Sequence, residues 1–235
     1  IYGSKVTLEA GPLSRTDPEK AEAIIAKAKE RLAKIRDSQK DNEDVLKAVT
    51  GAERGFASLE RAIATAKKLL ALIGQDAAPF ETDAWVNGEP LTDADLKGKV
   101  VLLDFWAVWC GPCIATFPHL KEWQEEYGEK GLVIIGVTNY YQRVWDEEAG
   151  RAVGGDGEVT PEAEHEMLAK FAEHHGLHHR FAVQSTRDLA EYYGVSGIPH
   201  VVLIDQTGKI RLIKVGSGPA NAKAISDLLK ELISE

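Results

Sequence analysis

Residues 100–113 read Val100-Val101-Leu102-Leu103-Asp104-Phe105-Trp106-Ala107-Val108-Trp109-Cys110-Gly111-Pro112-Cys113. The apolar run from Val100 to Phe105 is the pattern of a strand covered on both faces. After it come two cysteines three positions apart, with Pro112 suited to the first turn of a helix that the pattern carries over 111–127. The free N–H groups and partial positive charge at a helix start favour a thiolate. Two intervening residues also let the sulfurs meet in a tight ring. In this setting Cys110, at the exposed end, is the attacking thiolate, and Cys113, one turn inside, resolves the mixed disulfide. Such exchange needs no metal and no organic cofactor, because the redox group is the Cys110–Cys113 disulfide itself. A bare CxxC also fits a structural disulfide or half of a zinc site, and the strand–CxxC–helix context favours redox chemistry over both.

Downstream, Leu132 to Val137 reads as a second buried strand, and 161–175 and 186–193 as helices with a short strand near Phe181-Ala182-Val183 between them. Val201–Ile204 and Ile210–Val215, joined through Asp205-Gln206-Thr207-Gly208, predict an antiparallel hairpin before a last amphipathic helix. Trp85-Val86 followed by Asn87-Gly88 predicts another hairpin. Tyr140 to Glu158, with Gly154-Gly155-Asp156-Gly157, reads as a long polar surface loop. Alternating strands and helices that end in a hairpin define an α/β sandwich with a central mixed sheet flanked by helices.

Upstream the texture differs. Thr16-Asp17-Pro18-Glu19 reads as a helix start. Ala21, Ile24, Ala28, Leu32 and Ile35 recur at helical spacing. After a polar break at 37–42, a second seam runs through Val45, Val49, Ala52, Phe56, Leu59, Ile63, Ala66, Leu70 and Ile73. Residues 17–73 therefore read as an α-helical hairpin, and the chain divides into a helical extension at 1–76 and an α/β domain at 77–235. The seam is expected to pack against the following domain, with a homodimer through these helices as its other use.

Among 235 residues, 44% are hydrophobic, enough apolar mass for a core, and the net charge is -9. That charge disfavours a general nucleic-acid role, since phosphate binding needs a basic surface. Residues 1–75 hold 14 Lys and Arg against 11 Asp and Glu, and the rest hold 14 against 26, so the two parts are chemically distinct. Only two cysteines occur, too few for a disulfide framework. No apolar stretch approaches the roughly 20 residues of a membrane span.

The segment ending in Trp109-Cys110-Gly111-Pro112-Cys113 resembles the active-site segment of thioredoxins. The wider pattern resembles the TlpA/ResA-like branch of that superfamily through Ala78-Pro79-Phe80, Leu96-Lys97-Gly98-Lys99 and Gly194-Val195-Ser196-Gly197-Ile198-Pro199. The resemblance covers roughly 77–235 and implies a thioredoxin-like sandwich and a thiol–disulfide oxidoreductase acting on protein disulfides, reset by an upstream thiol reductant. It implies that Pro199 is a cis-proline facing the CxxC and that Ile198 offers backbone groups to a substrate strand. It implies that Trp109, Gly111 and Pro112 shape the substrate surface beside Trp106. Asp104 matches the buried carboxylate that helps deprotonate the resolving cysteine, with a pKa raised by burial. Gly-Pro between the cysteines implies a reducing potential of roughly −270 mV, the thioredoxin value. The family's usual place outside the cytoplasm is the implied location.

Some positions depart from the family pattern. Asp104 replaces the Asn of many TlpA/ResA-like proteins, Thr116 stands where many carry Glu, and Ile135-Gly136-Val137 lacks the Lys that thioredoxins place near the buried Asp. His200 follows Pro199 where Thr is usual and is expected to be a hydrogen-bonded packing histidine. His174, His175, His178 and His179 cluster around Gly176, which is expected to close a helix and leave them solvated. No metal site is expected. A thiol peroxidase would have Thr or Ser close before a single reactive Cys, where this chain has Ala107-Val108-Trp109. A non-enzymatic metal-binding or scaffold module working through the helical hairpin is the alternative from another class.

Overall fold

The computed structural model describes residues 2–234, which divide into two compact units between Ala71 and Leu72. That division falls earlier than the expected boundary at 76/77. The first unit contains three helices, not the expected pair: α1 (Tyr2–Thr16), α2 (Pro18–Ser38) and α3 (Glu43–Leu72). Gly3, Gly11 and Pro12 disguise α1 in the sequence, yet its buried residues Val6, Ala10 and Ser14 are spaced four apart, one stripe of a helix. The α2 start is as read, with the Asp17 carboxylate accepting the Lys20 N–H at 3.1 Å and Pro18 in the first turn. The seam packs inside this unit: Ala21, Ile25, Ala28 and Leu32 meet Val49, Phe56, Leu59 and Ile63, with Val6 and Ala10 of α1 closing the cluster.

From Leu72 onward the elements are β1 (Ala84–Val86), α4 (Asp93–Leu96), β2 (Val100–Phe105), α5 (Gly111–Ile114) and α6 (Phe117–Tyr127). They continue with β3 (Leu132–Asn139), β4 (Arg143–Asp146), β5 (Arg151–Gly154), α7 (Pro161–His175) and β6 (Arg180–Gln184). The last are α8 (Asp188–Tyr192), β7 (His200–Ile204), β8 (Ile210–Val215) and α9 (Pro219–Ser234). Six strands form a mixed sheet in the order β1-β6-β3-β2-β7-β8. At its centre β2 pairs parallel with β3 and antiparallel with β7, and all six of its residues are buried. The expected β7–β8 hairpin is present. Asp205 shapes its turn by accepting from the Thr207 and Lys209 amides at 2.9 and 3.0 Å.

Alternation along β2 splits the core. Val101, Leu103 and Phe105 face one layer with α8 and Tyr193, while Leu102 faces the layer of α6, α7 and α9 that holds Cys110 and Cys113. Trp106 anchors the second layer, its ring 5.1 Å from Phe171 and 4.9 Å from Phe181. A side chain at Gly136 would bring Cβ to 2.7 Å from the Trp106 indole nitrogen and 3.0 Å from the Phe181 ring, so the packed rings would have to shift to admit one.

Three local expectations change. Trp85-Val86 starts no hairpin: β1 pairs antiparallel with β6, and Asn87 uses its amide to donate to the Leu177 and His179 carbonyls at 2.9 and 2.8 Å. The Asn-Gly turn thus fastens the edge strand to another segment. The 111–127 helix is interrupted at Ala115-Thr116, because Pro118 has no N–H to continue the ladder and the Thr116 hydroxyl donates to the Cys113 carbonyl at 2.7 Å. The 140–158 segment is an ordered antiparallel hairpin of β4 and β5, not a plain loop.

Candidate active site

Chain direction explains where the cysteines lie. β2 runs out of the sheet at Phe105, Trp106 plugs the core, and a turn closed by the Cys110 N–H donating to the Ala107 carbonyl at 3.0 Å delivers Cys110 to the first turn of α5. Cys110 and Cys113 form a disulfide with an S–S distance of 2.03 Å and Cα atoms 5.2 Å apart. The Cys113 amide lies 3.2 Å from Cys110 Sγ, where it would stabilise a thiolate once the bond is open. Cys113 is fully buried and Cys110 is 5% exposed, whereas Trp109 is 52% exposed and Gly111 and Pro112 are exposed. Of the two cysteines, only Cys110 retains any exposure.

Asp104 sits on β2 on the same sheet face as Leu102 and hence on the side of the cysteines. Its cross-strand neighbours are Gly136 and Val201, which supply no polar side chain. Neither carboxylate oxygen has a hydrogen-bond partner among the described residues. Burial, acting without a compensating charge, pushes its pKa up to about 7. The missing Lys at 135–137 is thus felt directly, since among the described residues no group holds the carboxyl ionised.

The Ile198–Pro199 peptide is cis, with Ile198 half-buried and Pro199 buried. Pro199 and Thr116 line one small cleft together with Leu120, Trp123 and Gly216, which brings the proline loop against the helices that follow the cysteines. His200 corrects the sequence reading in one respect. It packs its ring edge-on to Phe105 at 5.7 Å, as a core histidine should, but neither ring nitrogen has a partner among the described residues. Burial lowers its pKa to about 4. The other histidines are not all solvated either. Gly176, at φ 61°, closes α7 as expected, and His174 and His178 are exposed, but His175 lies 4.4 Å from the Phe171 ring. His179 is buried against Phe181 with its pKa lowered by burial to about 4. Among the described residues, no group of three or more His, Cys, Asp or Glu is placed to hold a metal ion.

Within the 140–158 segment, one residue beside the site carries no marker of its own in the sequence. Tyr141, just before β4, sets its ring against Trp109 with centroids 5.5 Å apart and planes at 85°. Buried Glu164 on α7 accepts the Tyr141 and Gln142 amides at 2.8 and 2.9 Å, and the Tyr140 hydroxyl meets His165 Nε2 at 2.8 Å. The signal for the adjoining hairpin was present in two short runs, Arg143-Val144-Trp145-Asp146 and Arg151-Ala152-Val153, around a polar turn.

A family model described as Redoxin matches residues 72–232. The thiol-disulfide oxidoreductase ResA of Halalkalibacterium halodurans is 26% identical over 165 residues, covering 70% of this chain and 80% of that protein. ResA of Bacillus subtilis is 28% identical over 156 residues, covering 66% and 73%. The solved structure of a thiol-disulfide isomerase from Corynebacterium glutamicum aligns with a TM-score of 0.52 at 24% identity, covering 68% of this chain and 96% of that one. That last likeness concerns the fold. The family match includes the cysteines and Pro199 and leaves the first helical unit outside.

Proposed function

The chain belongs to the Redoxin family and is a ResA-like thiol–disulfide oxidoreductase, and from that premise we propose that it reduces protein disulfides through Cys110 and Cys113. The observation that carries this reading is the Cys110–Cys113 bond, with its inner sulfur sealed in the core and its outer residue set in the exposed Trp109–Pro112 rim. In the reduced protein, the Cys110 thiolate attacks one sulfur of a target disulfide. An intermolecular disulfide forms and the target's other sulfur leaves as a thiolate. Cys113 then loses its proton, attacks Cys110 Sγ and releases the second target thiolate. Two electrons have passed from the dithiol to the target, and the Cys110–Cys113 bond has closed.

Asp104 is the base for the second step. A carboxyl with a pKa of about 7 is half ionised near neutrality, where proton transfer to and from a thiol is most effective. The cis-proline loop at Ile198 supports a role in laying the substrate chain beside the sulfurs. An upstream thiol reductant returns the disulfide to the dithiol, and a place outside the cytoplasm fits the resemblance to ResA. Among the described residues, no helix is long and apolar enough to cross a membrane. An insulin-reduction assay driven by dithiothreitol tests the proposal. Wild type should accelerate precipitation of the insulin B chain, and Cys110→Ser should not. Equal inactivity of both would overturn it.

A further inference from the structure

Resting on the reductase reading above, we infer that Tyr141 and Trp109 form a recognition rim for an aromatic or large apolar side chain next to the target's cysteine, and that Glu164 is the residue that positions it. Since Cys113 is sealed, a target disulfide must cross the exposed strip of Trp109, Gly111 and Pro112 to reach Cys110. The residue beside the target cysteine then meets Trp109, the most exposed large hydrophobic residue of this unit among those described. An exposed indole next to a reactive sulfur offers a flat apolar surface. Tyr141 stands edge-on to that indole and extends the surface on the β4 side.

Tyr141 is half-buried against the core, so packing alone could account for its ring. What packing does not account for is how its backbone is held. Gln142 has φ 55°, a left-handed conformation that is uncommon for a residue with a side chain. Glu164, 1% exposed, clamps that turn by accepting both the Tyr141 and Gln142 amides. The Gln142 side chain exchanges hydrogen bonds with the Val159 backbone at 2.9 and 3.2 Å, and the Gln142 backbone carbonyl accepts the Gly155 amide at 3.1 Å. A buried carboxylate and a fixed left-handed turn, placed where the chain leaves the sheet beside the active-site tryptophan, make Tyr141 a rigid part of the rim.

Two synthetic disulfide-linked peptides, identical except for Phe or Ala beside the cysteine, provide the test. Wild type should prefer the Phe peptide about tenfold in kcat/KM, with the difference in KM. Tyr141→Ala should bring the ratio close to one, and Tyr141→Phe, which keeps the ring, should retain it. Glu164→Gln, which presents an amide hydrogen to one of the clamped N–H groups, should raise KM for the Phe peptide while kcat holds. Should Tyr141→Ala fail to fold, Tyr141→Leu keeps the bulk without the ring and carries the same expectation. Active wild type with no preference, or a preference unchanged in folded Tyr141→Ala or Tyr141→Leu, overturns the rim. Failure of folded, reduced wild type to reduce either peptide overturns the reductase reading on which the rim depends.

Discussion

Among the described residues up to Ala71 the buried ones are Val6, Ala10, Ala21, Ile25, Ala28, Leu32, Val49, Phe56 and their like, and the one buried hydroxyl, Ser14, donates to the Gly11 carbonyl at 2.8 Å. Charged groups there pair on the surface, as Lys29 does with Glu60 and Arg36 with Glu53. From Leu72 onward the core buries Asp104, Trp106 and His200, none with a hydrogen-bond partner for its side chain among the described residues. Stability alone does not select unpartnered polar groups, since each carries a desolvation penalty of about 1–3 kcal/mol. The first unit therefore reads as ordinary helical packing, and the second retains groups that local stability would remove. The proposed role as base gives Asp104 a chemical reason to stay. For His200 the structure shows packing against Phe105 and, among the described residues, no hydrogen-bond partner.

The largest effect is expected at Asp104. Asp104→Asn should slow the closing of the Cys110–Cys113 bond about 100-fold at pH 7, measured by stopped-flow release of the second target thiol. The same variant should be more stable than wild type at high pH. Because the folded carboxyl keeps its proton up to about pH 7 while the unfolded chain loses it near 3.8, wild-type stability falls as pH rises through that interval. The gain should approach about 4 kcal/mol above pH 8 and vanish below about pH 4, read from denaturant unfolding. A slower second step with no pH-dependent gain would break the contrast between the two units.

Phe56, fully buried in the helical core, provides the opposite case. Phe56→Ala should destabilise that unit by about 3–5 kcal/mol and leave insulin reduction per folded molecule unchanged. A large loss of activity in folded Phe56→Ala would tie the helical unit to the chemistry.

His200 should produce the smallest shift, with the reverse sign. Its pKa is lowered from 6.5 to about 4, so the unfolded chain takes up a proton that the folded one refuses, and stability is lost as pH falls through that window. His200→Leu should remove up to about 3 kcal/mol of that loss between pH 7 and pH 4, measured by thermal or denaturant unfolding.

Much of this contrast could be read in the sequence because it rests on local patterns. Val100–Phe105 is a continuous apolar run, Cys110-Gly111-Pro112-Cys113 is a spacing with its own chemistry, and Val201–Val215 contains its turn. What stayed hidden depends on partners distant in sequence. Trp85-Val86 looks like half of a local hairpin until β6, nearly a hundred residues on, claims it. Tyr141 looks like a loop residue until Glu164 fixes it from α7 and Trp109 meets it across the site. The four-residue stripe of α1 is masked by two glycines and a proline, which lower helix propensity without preventing packing. The packing of His200 against Phe105 joins two strands distant in sequence, a contact no local pattern contains.

The proposed exchange needs Cys110 as the attacking sulfur and Cys113 as the sealed resolving one. Reduced Cys113→Ser, mixed with a disulfide-linked peptide, should accumulate a covalent adduct on Cys110 that mass spectrometry locates, because nothing remains to resolve it. Cys110→Ser under the same conditions should form essentially none. An adduct that appears on Cys113 in Cys110→Ser at a comparable rate, or no adduct with either folded variant, would contradict the account.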